Sequence, residues 1–400
     1  MQFQNQRLTP RRLPKLQVSA LTIRPAFVLA VVLLGTLQSL GTTYYVSSSL
    51  GTDRNSGTTS SSPWRTVARI NSQPLQPGDN VLLRRGDTWR ETLKPRTSGR
   101  TGAFIIFGAY GSGPRPVLIG GNAPGQDINI DNNEQSYLIY RDLELRGARQ
   151  GLRLYAWRHV VVRGITIENS VISTGSRELH GAMSAGVYVN VDAGRIEQLT
   201  IRRNHFTPYP VGLEHWGVYF VKGVSDFRIE DNSFGPAGED AICVWHSSQG
   251  VISRNRGGGN GENTIDVKDS RNVLISDNVA EEDTEYNIVV HRVDPGDPTI
   301  GITVERNTCR RGGQGGKLPA GIALLFVGRT TVSDNVVQQP YSEGIYVLDE
   351  ESNSANRVSN NRIVRARSPR NAPAVILENA PGTQVLNNQD LASIIPTALK

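Results

Sequence analysis

Acidic side chains recur at a fixed interval in the middle of the chain. Glu239, Glu262 and Glu285 are 23 residues apart. If equivalent residues lie on neighbouring strands, these carboxylates repel each other by roughly 1 kcal/mol in water and about 3 kcal/mol at an effective dielectric constant of 20. We expect this repulsion to be offset by a bound cation, by a base such as Lys268 or Arg292, or by solvation alone.

The same alignment predicts two further rows of stacked residues: Cys243, Asp266 and Val289, then Trp245, Lys268 and His291. Side chains alternate between the two faces of a strand, so Glu262, Asp266 and Lys268 share the face opposite the apolar pairs. This outward face carries two acids and a base. Several hard oxygen ligands suit Ca²⁺. A calcium site is therefore one interpretation, and glutamates that merely cap turns in water are the other.

A short repeat indicates the scaffold that positions these rows. An Ile or Val is followed, three residues later, by an Asn, at intervals of 23–29 residues. The Asn positions are Asn204, Asn232, Asn255, Asn278, Asn307, Asn335, Asn361 and Asn388. Two earlier units are degenerate, with Asp142 and Gly164 in the Asn place. We interpret the Asn residues as structural, stacked as an amide ladder at one turn.

Short alternating segments precede the late repeats, such as Gly217–Phe220 and Gly344–Val347. Alternation with β-branched residues predicts strands with one buried face. No helical period intervenes, so the units stack on themselves as a solenoid. Crossovers between parallel strands are right-handed. The predicted fold class is all-β, a right-handed parallel β-helix whose coils rise about 4.8 Å each, with a short N-terminal capping helix within residues 63–71.

The chain resembles the right-handed parallel β-helix proteins of the pectate-lyase-like superfamily, including exported, polysaccharide-active members. The resemblance covers residues 44–390. Besides the repeat, it rests on these opening segments: Tyr45-Val46-Ser47, Gly51-Thr52-Asp53, Pro63-Trp64-Arg65-Thr66, Gly78-Asp79 and Gly108-Ala109-Tyr110-Gly111.

The spacing Glu262-x-x-x-Asp266-x-Lys268 is similar to the calcium-binding strand of pectate lyases. The resemblance implies that Glu262 and Asp266 are metal ligands, with Asp240 as a further ligand, and that Lys268 contacts the sugar acid. Arg292 is the nearest candidate for the catalytic arginine of that family.

The chemistry that would use these residues is β-elimination from a uronic-acid polymer. A cation neutralises the sugar carboxylate, and a base removes the adjacent proton. Lys268, His291 or Arg292 can serve as that base if its pKa is lowered. Four aromatic residues share the outward parity and are predicted to be exposed and to stack on sugar rings or on one another: Trp245, Tyr188, Tyr219 and Tyr346.

The resulting prediction is a Ca²⁺-dependent lyase that acts on an acidic polysaccharide. The main alternative is a non-catalytic β-helix for glycan binding or adhesion. A C5-epimerase shares the elimination chemistry. A glycoside hydrolase of the polygalacturonase type is the least favoured, since the chain lacks its clustered Asp residues, its Gly-His-Gly and its Arg-x-Lys.

The formal net charge of +6 comes mostly from the first residues. Residues 1–41 hold five bases and no acid, so the remainder is nearly neutral and has no nucleic-acid footprint. The basic stretch precedes the apolar run 26–34 and then small residues, the order of a secretory signal. The run is shorter than the roughly 20 residues of a membrane span, although an uncleaved N-terminal anchor is the alternative.

These observations predict four segments: a leader over 1–41, a cap and first coil over 42–100, the β-helix over 101–390, and a tail over 391–400. The mature protein is predicted to be a monomer that is secreted, periplasmic or on the cell surface, with no membrane contact beyond the leader.

Overall fold

The computed structural model describes residues 41–120, 127–175, 183–208, 214–315, 320–341, 343–349, 355–365 and 374–392. Most of the predicted leader and tail therefore lies outside the described residues. Within the described ranges, no helix is long and apolar enough to cross a membrane. The chain forms the predicted parallel β-helix, with three long parallel sheets, A, B and C, among these residues.

Sheet A contains 13 strands in the described part of the chain. They are Thr43–Val46 (β1), Asn80–Arg84 (β2), Ile105–Tyr110 (β4), Leu138–Arg141 (β7), Val161–Glu168 (β10), Arg195–Arg202 (β13), Val224–Glu230 (β16), Ser248–Ser253 (β19), Arg271–Ser276 (β22), Thr303–Glu305 (β25), Thr331–Ser333 (β28), Arg357–Ser359 (β31) and Gln384–Leu386 (β34).

Sheet B contains 12 strands in the same residues. They are Thr88–Trp89 (β3), Val117–Ile119 (β5), Glu144–Arg146 (β8), Val171–Ser173 (β11), His205–Phe206 (β14), Ser233–Phe234 (β17), Arg256–Gly258 (β20), Val279–Glu281 (β23), Thr308–Arg310 (β26), Val336–Gln338 (β29), Arg362–Arg365 (β32) and Gln389–Ala392 (β35).

Sheet C contains ten strands over the described ranges. They are Ile128–Asn133 (β6), Gln150–Ala156 (β9), Ser184–Val191 (β12), His215–Phe220 (β15), Ile242–Trp245 (β18), Ile265–Lys268 (β21), Tyr286–His291 (β24), Ala320–Leu325 (β27), Glu343–Leu348 (β30) and Val375–Glu378 (β33).

The turn from sheet A to sheet B explains the Ile-x-x-Asn repeat. Asn278 shows the pattern: its Nδ2 donates to the Ile252 carbonyl at 2.9 Å and to Asn307 Oδ1 at 2.9 Å. Its own Oδ1 accepts from the backbone and side chain of Asn255 at 2.9 and 3.1 Å. The predicted amide ladder is confirmed, and it satisfies buried backbone groups that otherwise cost about 1–3 kcal/mol each.

The residue before each ladder Asn has a positive φ, which bends the chain at the corner. These residues are Arg203, Asp231, Arg254, Asp277, Arg306, Asp334, Asn360 and Asn387. Asp and Asn tolerate this left-handed conformation best among non-glycine residues. The prediction that Asp142 and Gly164 take the place of the ladder Asn in two earlier units is wrong. Asp142 instead has the positive φ of the residue before the ladder position, which is then Leu143, and Gly164 lies inside β10.

The interior of the coil is apolar, because every second side chain of a strand points inward and these inward side chains are hydrophobic. In sheet C, Ile242 and Val244 stack on Ile265 and Val267, and all four side chains are fully buried. One continuous hydrophobic cluster runs from Val46 to Ala380.

The predicted N-terminal helix spans Val67–Ser72. Thr66 caps it by accepting a hydrogen bond from the Arg69 backbone, and Val67 and Ile70 enter the core. The first strand, β1, pairs in parallel with β2. The stacked sheets therefore begin at Thr43, inside the segment assigned to the cap and first coil.

Candidate active site

The outer face of sheet C stacks the residues that the 23-residue alignment placed together. Cys243 pairs with Asp266, and Asp266 with Val289. In the second row, Trp245 pairs with Lys268, and Lys268 with His291. Both predicted rows are present, because three coils of equal length preserve the register from strand to strand.

Asp266 is the centre of this arrangement. Its side chain is buried, yet it accepts hydrogen bonds from Lys268 Nζ at 2.8 Å and His291 Nε2 at 2.9 Å. Burial opposes ionisation, but the charges and hydrogen bonds of His291 and Lys268 prevail and lower the pKa of Asp266 to about 2. A fixed negative charge therefore lies beneath the surface of sheet C at neutral pH.

Lys268 does not meet the condition for a catalytic base. Burial alone would lower its pKa, but Asp266, Cys243 and Asp240 raise the pKa above its usual range. The ammonium stays charged and lies 5.6 Å from the centre of the Trp245 ring. Arg292 follows the end of β24, where its backbone N–H donates to the Leu325 carbonyl at 3.0 Å.

Asp240 lies two residues before the preceding strand, β18, and is fully buried. Its oxygens accept from Trp216 Nε1 at 3.2 Å and from the backbone and side chain of Asn263 at 3.1 and 2.9 Å. Burial and the neighbouring Asp266 raise the pKa of Asp240 well above its usual value. The pKa values of Asp240 and Asp266 are thus shifted in opposite directions, because Lys268 and His291 hydrogen-bond to Asp266.

The three glutamates form the predicted column. The backbone N–H of Glu262 donates to the Glu239 carbonyl, and that of Glu285 to the Glu262 carbonyl, both at 3.0 Å. Burial, followed by hydrogen bonding with Glu262 and its charge, raises the pKa of Glu239 to about 8. Burial, Glu262 and Asp266 also raise the pKa of Glu285. We call Glu239, Glu262 and Glu285 the glutamate column; its members are partly accessible to solvent.

The prediction that the outward tyrosines are exposed is wrong. Tyr188 and Tyr219 are each 6% exposed and Tyr346 is 3% exposed. Tyr219 is covered by the stacked ring of Trp216, at 4.5 Å, and by Tyr188, at 5.9 Å. Large rings on adjacent coils cover each other, as the alternative of stacking between coils required. Tyr346 lies three coils beyond Asp266 and donates to Glu378.

Trp245 is the partly exposed member of this aromatic group. Its Nε1 donates to Asp269 Oδ2 at 2.6 Å. Asp269 also accepts from the backbone N–H groups of Val293 and Asp294, at 2.8 and 3.1 Å. This buried carboxylate therefore fixes both the indole and the loop that follows His291. Sequence reasoning missed Asp269 and Trp216, and the Asp-Ser turn after Lys268 was the available signal for Asp269.

The predicted metal ligands divide into two groups. Asp240, Cys243 and Asp266 bring potential ligand atoms within 4.8 Å of one another. They do not fit a cation, because hydrogen-bond donors already engage both carboxylates and burial raises the pKa of the Cys243 thiol. The glutamate column offers carboxylate oxygens, the ligand type of a hard cation, but its three carboxyl groups are not among the described residues whose ligand atoms gather within 4.8 Å.

Residues 211–389, a little less than half of the chain, match the model of a protein family described as "Periplasmic copper-binding protein (NosD)". Copper favours thiolate, thioether and imidazole ligands, and the described cluster around Cys243 offers two engaged carboxylates and a protonated thiol. The matched segment instead coincides with the part of the chain that carries the asparagine ladder.

The chain is also similar to a lacto-N-biosidase of Bifidobacterium longum subsp. longum, with 38% identity over 123 residues. The match covers 28% of this chain and 8% of that protein, so the chain spans only a small part of this curated relative.

Two solved structures resemble the chain. A GH136 lacto-N-biosidase from Eubacterium ramulus has a TM-score of 0.65 and 17% identity, over 86% of this chain and 68% of that chain. A mannuronic acid specific polysaccharide family 6 lyase from human gut microbiota has a TM-score of 0.54 and 15% identity, over 87% of both chains. The likeness establishes the shared fold, a parallel β-helix.

Proposed function

We propose that this protein is a glycoside hydrolase whose active site is the glutamate column on the outer face of sheet C. Two partly accessible carboxyl groups on neighbouring coils carry the proposal: Glu239, whose pKa is raised to about 8, and Glu262, which is hydrogen-bonded to it. Environments that drive carboxyl pKa values apart are what acid and base roles at one pH require. The two similar proteins named lacto-N-biosidases support the same class of reaction.

Glu239 is the proposed general acid, because it retains its proton at neutral pH and is partly accessible. Glu262, one coil further along, is the proposed nucleophile. The coil rise places the backbone positions of Glu239 and Glu262 about 4.8 Å apart. In a retaining mechanism their carboxyl groups, hydrogen-bonded in the free protein, would separate to roughly 5 Å around the substrate. We therefore expect retention of the anomeric configuration.

Asp266 acts from below this pair, as a positioning residue. It accepts hydrogen bonds from Lys268 Nζ at 2.8 Å and His291 Nε2 at 2.9 Å, and so fixes both side chains on the outer face of sheet C. Lys268 and His291 hold Asp266 ionised. Trp245, oriented by Asp269, supplies an aromatic face beside the column for the sugar. A glycan substrate and the leader together support export to the periplasm or the cell surface.

The test is an assay of the purified chain on a panel of glycans that includes lacto-N-biosides, xylan, alginate and polygalacturonate. New reducing ends without ultraviolet absorbance are expected. Glu239→Gln is expected to lower the rate by about 10²–10⁴-fold, the usual contribution of a general acid. The matched control is Glu281→Gln, on sheet B, which should retain full activity. A Glu239→Gln variant as active as this control would contradict the proposal.

The second candidate is the Ca²⁺-dependent lyase for uronate polymers. The raised pKa values of Glu239 and Glu285 favour it, because a bound cation would relieve the same excess of negative charge. Ca²⁺ on the glutamate column would neutralise the sugar carboxylate. His291 or Arg292 then remains as the base, since the pKa of Lys268 is raised.

The same assay separates the two candidates. A lyase produces unsaturated sugar ends that absorb in the ultraviolet, and it loses that activity with a chelator. A hydrolase produces saturated ends and retains its rate with the chelator. Correct folding without either product on any glycan would favour the non-catalytic binding alternative.

A further inference from the structure

A second aromatic feature lies on sheet C, upstream of the glutamate column. Trp157 directly follows β9 and is 43% exposed. Its ring stacks on Tyr155 at 4.9 Å with an interplanar angle of 4°. Beside it is a cavity of about 400 Å³ lined by Asn133, Glu134, Trp157 and Arg158. We call Tyr155 and Trp157 the distal platform.

The platform is held rigidly from below and from the side. The Arg153 guanidinium lies 5.0 Å from the centre of the Tyr155 ring, and Asp131 fixes it through two hydrogen bonds of 2.9 Å. Glu134 accepts a hydrogen bond from the Trp157 backbone at 3.1 Å. An exposed indole that is ordered in advance loses little conformational freedom when a ligand covers it.

The platform belongs to the same face of the solenoid as the candidate active site. Arg153 pairs with Tyr188 and Tyr155 with Asn190, so their side chains share the outward parity of Asp266. Three coil steps, β9 to β12, β15 and β18, separate the platform from the coil of Glu239 by about 14 Å along the solenoid axis. The register from Leu152 to Ile242 also places Trp157 and Glu239 at opposite ends of the sheet C strands, about 26 Å apart along the strand direction. A disaccharide cannot reach across this distance, whereas a longer oligosaccharide can.

We propose that the distal platform is a sugar-binding subsite for a glycan chain that extends from the glutamate column. The apolar face of a pyranose ring would cover Trp157, as aromatic faces suit amphipathic partners. Asn133, Glu134 and Arg158 supply donors and acceptors for its hydroxyl groups. The direction of the chain rests on the proposed function; binding at the platform does not.

The experiment measures binding separately from catalysis. Affinity electrophoresis is run in gels that contain xylan, alginate, polygalacturonate or mucin, and the retarding glycan then supplies a disaccharide and a hexasaccharide for calorimetry. The protein is the full chain with Glu239→Gln, with and without Trp157→Ala. We expect Trp157→Ala to weaken hexasaccharide binding about tenfold and to leave disaccharide binding unchanged, while Trp157→Phe retains most of the affinity.

The control is Tyr341→Ala, which removes another exposed aromatic ring, 55% exposed, outside sheet C. Equal binding by the Trp157→Ala and Tyr341→Ala variants overturns the subsite, as does the absence of binding to every glycan. Loss of binding in Trp157→Ala without hydrolysis by the unsubstituted chain supports the subsite and refutes the hydrolase. Hydrolysis by the unsubstituted chain, with no effect of Trp157→Ala on binding, supports the hydrolase and refutes the subsite. Thermal unfolding confirms that each variant is folded.

Discussion

Two columns of like side chains run along this solenoid, and they satisfy their polar atoms in opposite ways. In the asparagine ladder, each amide donates to the next Asn and accepts from the previous one. The glutamate column has the same coil spacing, but an ionised carboxylate only accepts hydrogen bonds. Its members must hold protons, attract a cation or repel one another, and the raised pKa of Glu239 is the result.

The comparison shows how a repetitive fold separates structure from chemistry. In the asparagine ladder the amide donors and acceptors already have hydrogen-bond partners within the protein, so they are not free to bind a ligand. A column of carboxylates without hydrogen-bond donors carries negative charge that a substrate, a proton or an ion can neutralise. The amide ladder is buried at a corner, whereas the glutamate column stays partly accessible on the outer face of sheet C.

The largest expected effect comes from removing the cation that neutralises the buried charge. Lys268→Met leaves Asp266 with His291 as its remaining side-chain partner among the described contacts. We expect a loss of about 4 kcal/mol in the free energy of unfolding, as for other broken buried pairs. Urea denaturation measures it.

The double variant Lys268→Met/Asp266→Asn tests the cause of that loss. Removing both charges should restore most of the stability, because the penalty belongs to an uncompensated carboxylate. A double variant no more stable than Lys268→Met alone would show that packing of the lysine stem, rather than charge, stabilises this region.

A smaller effect is expected from giving the asparagine ladder the chemistry of the glutamate column. Asn278→Asp keeps the shape but removes the donor to the Ile252 carbonyl and Asn307 Oδ1. The Ile252 carbonyl loses this donor, and the new carboxylate faces Asn307 Oδ1, which keeps its hydrogen bond from the residue 278 backbone. The free energy of unfolding should therefore fall by about 3 kcal/mol. Asn388→Asp, at the partly buried last described rung, is the matched control and should cost less. Equal costs would show that the ladder is not cooperative along its length.

The smallest effect is the pH dependence of stability. A carboxyl group whose pKa is raised on folding stabilises the protein fully below its unfolded pKa, and that stability is lost as the pH rises through the folded pKa. For Glu239 the window runs from 4.5 to about 8. Asp283, with a pKa raised to about 7 by burial, titrates in the same window.

The readout is therefore the difference between the unsubstituted chain and Glu239→Gln in thermal unfolding midpoints from about pH 5 to about pH 9. We expect the Gln variant to decline less steeply, since it lacks the Glu239 contribution and retains those of the other carboxyl groups with raised pKa values, Asp283, Asp240 and Glu285. Identical slopes in the two proteins would mean that Glu239 titrates normally and would weaken its assignment as the general acid.

The fold and the rows of the site were predictable from sequence where coil lengths are equal. The Ile-x-x-Asn repeat predicted the ladder, and the 23-residue interval placed Asp266 beside Lys268 and His291 in the correct rows. Exposure was not predictable, because Tyr219 is covered by the ring of Trp216 in the same strand, and strand alternation alone does not show that the two rings stack. The role of Asp269 was equally hidden, since its partners are backbone groups of an irregular loop.

The asparagine corner turn makes the coils structurally interchangeable along the solenoid axis. Every ladder Asn presents the same acceptor to the coil before it and the same donor to the coil after it, so adding or deleting one whole coil leaves the turn chemistry unchanged. Such a change between Trp157 and Glu239 would alter their separation along the solenoid axis by about 4.8 Å and leave the residues around each of them unchanged. The gain or loss of whole coils thus changes the spacing between two sites in equal steps, and can adapt this architecture to longer or shorter glycan chains.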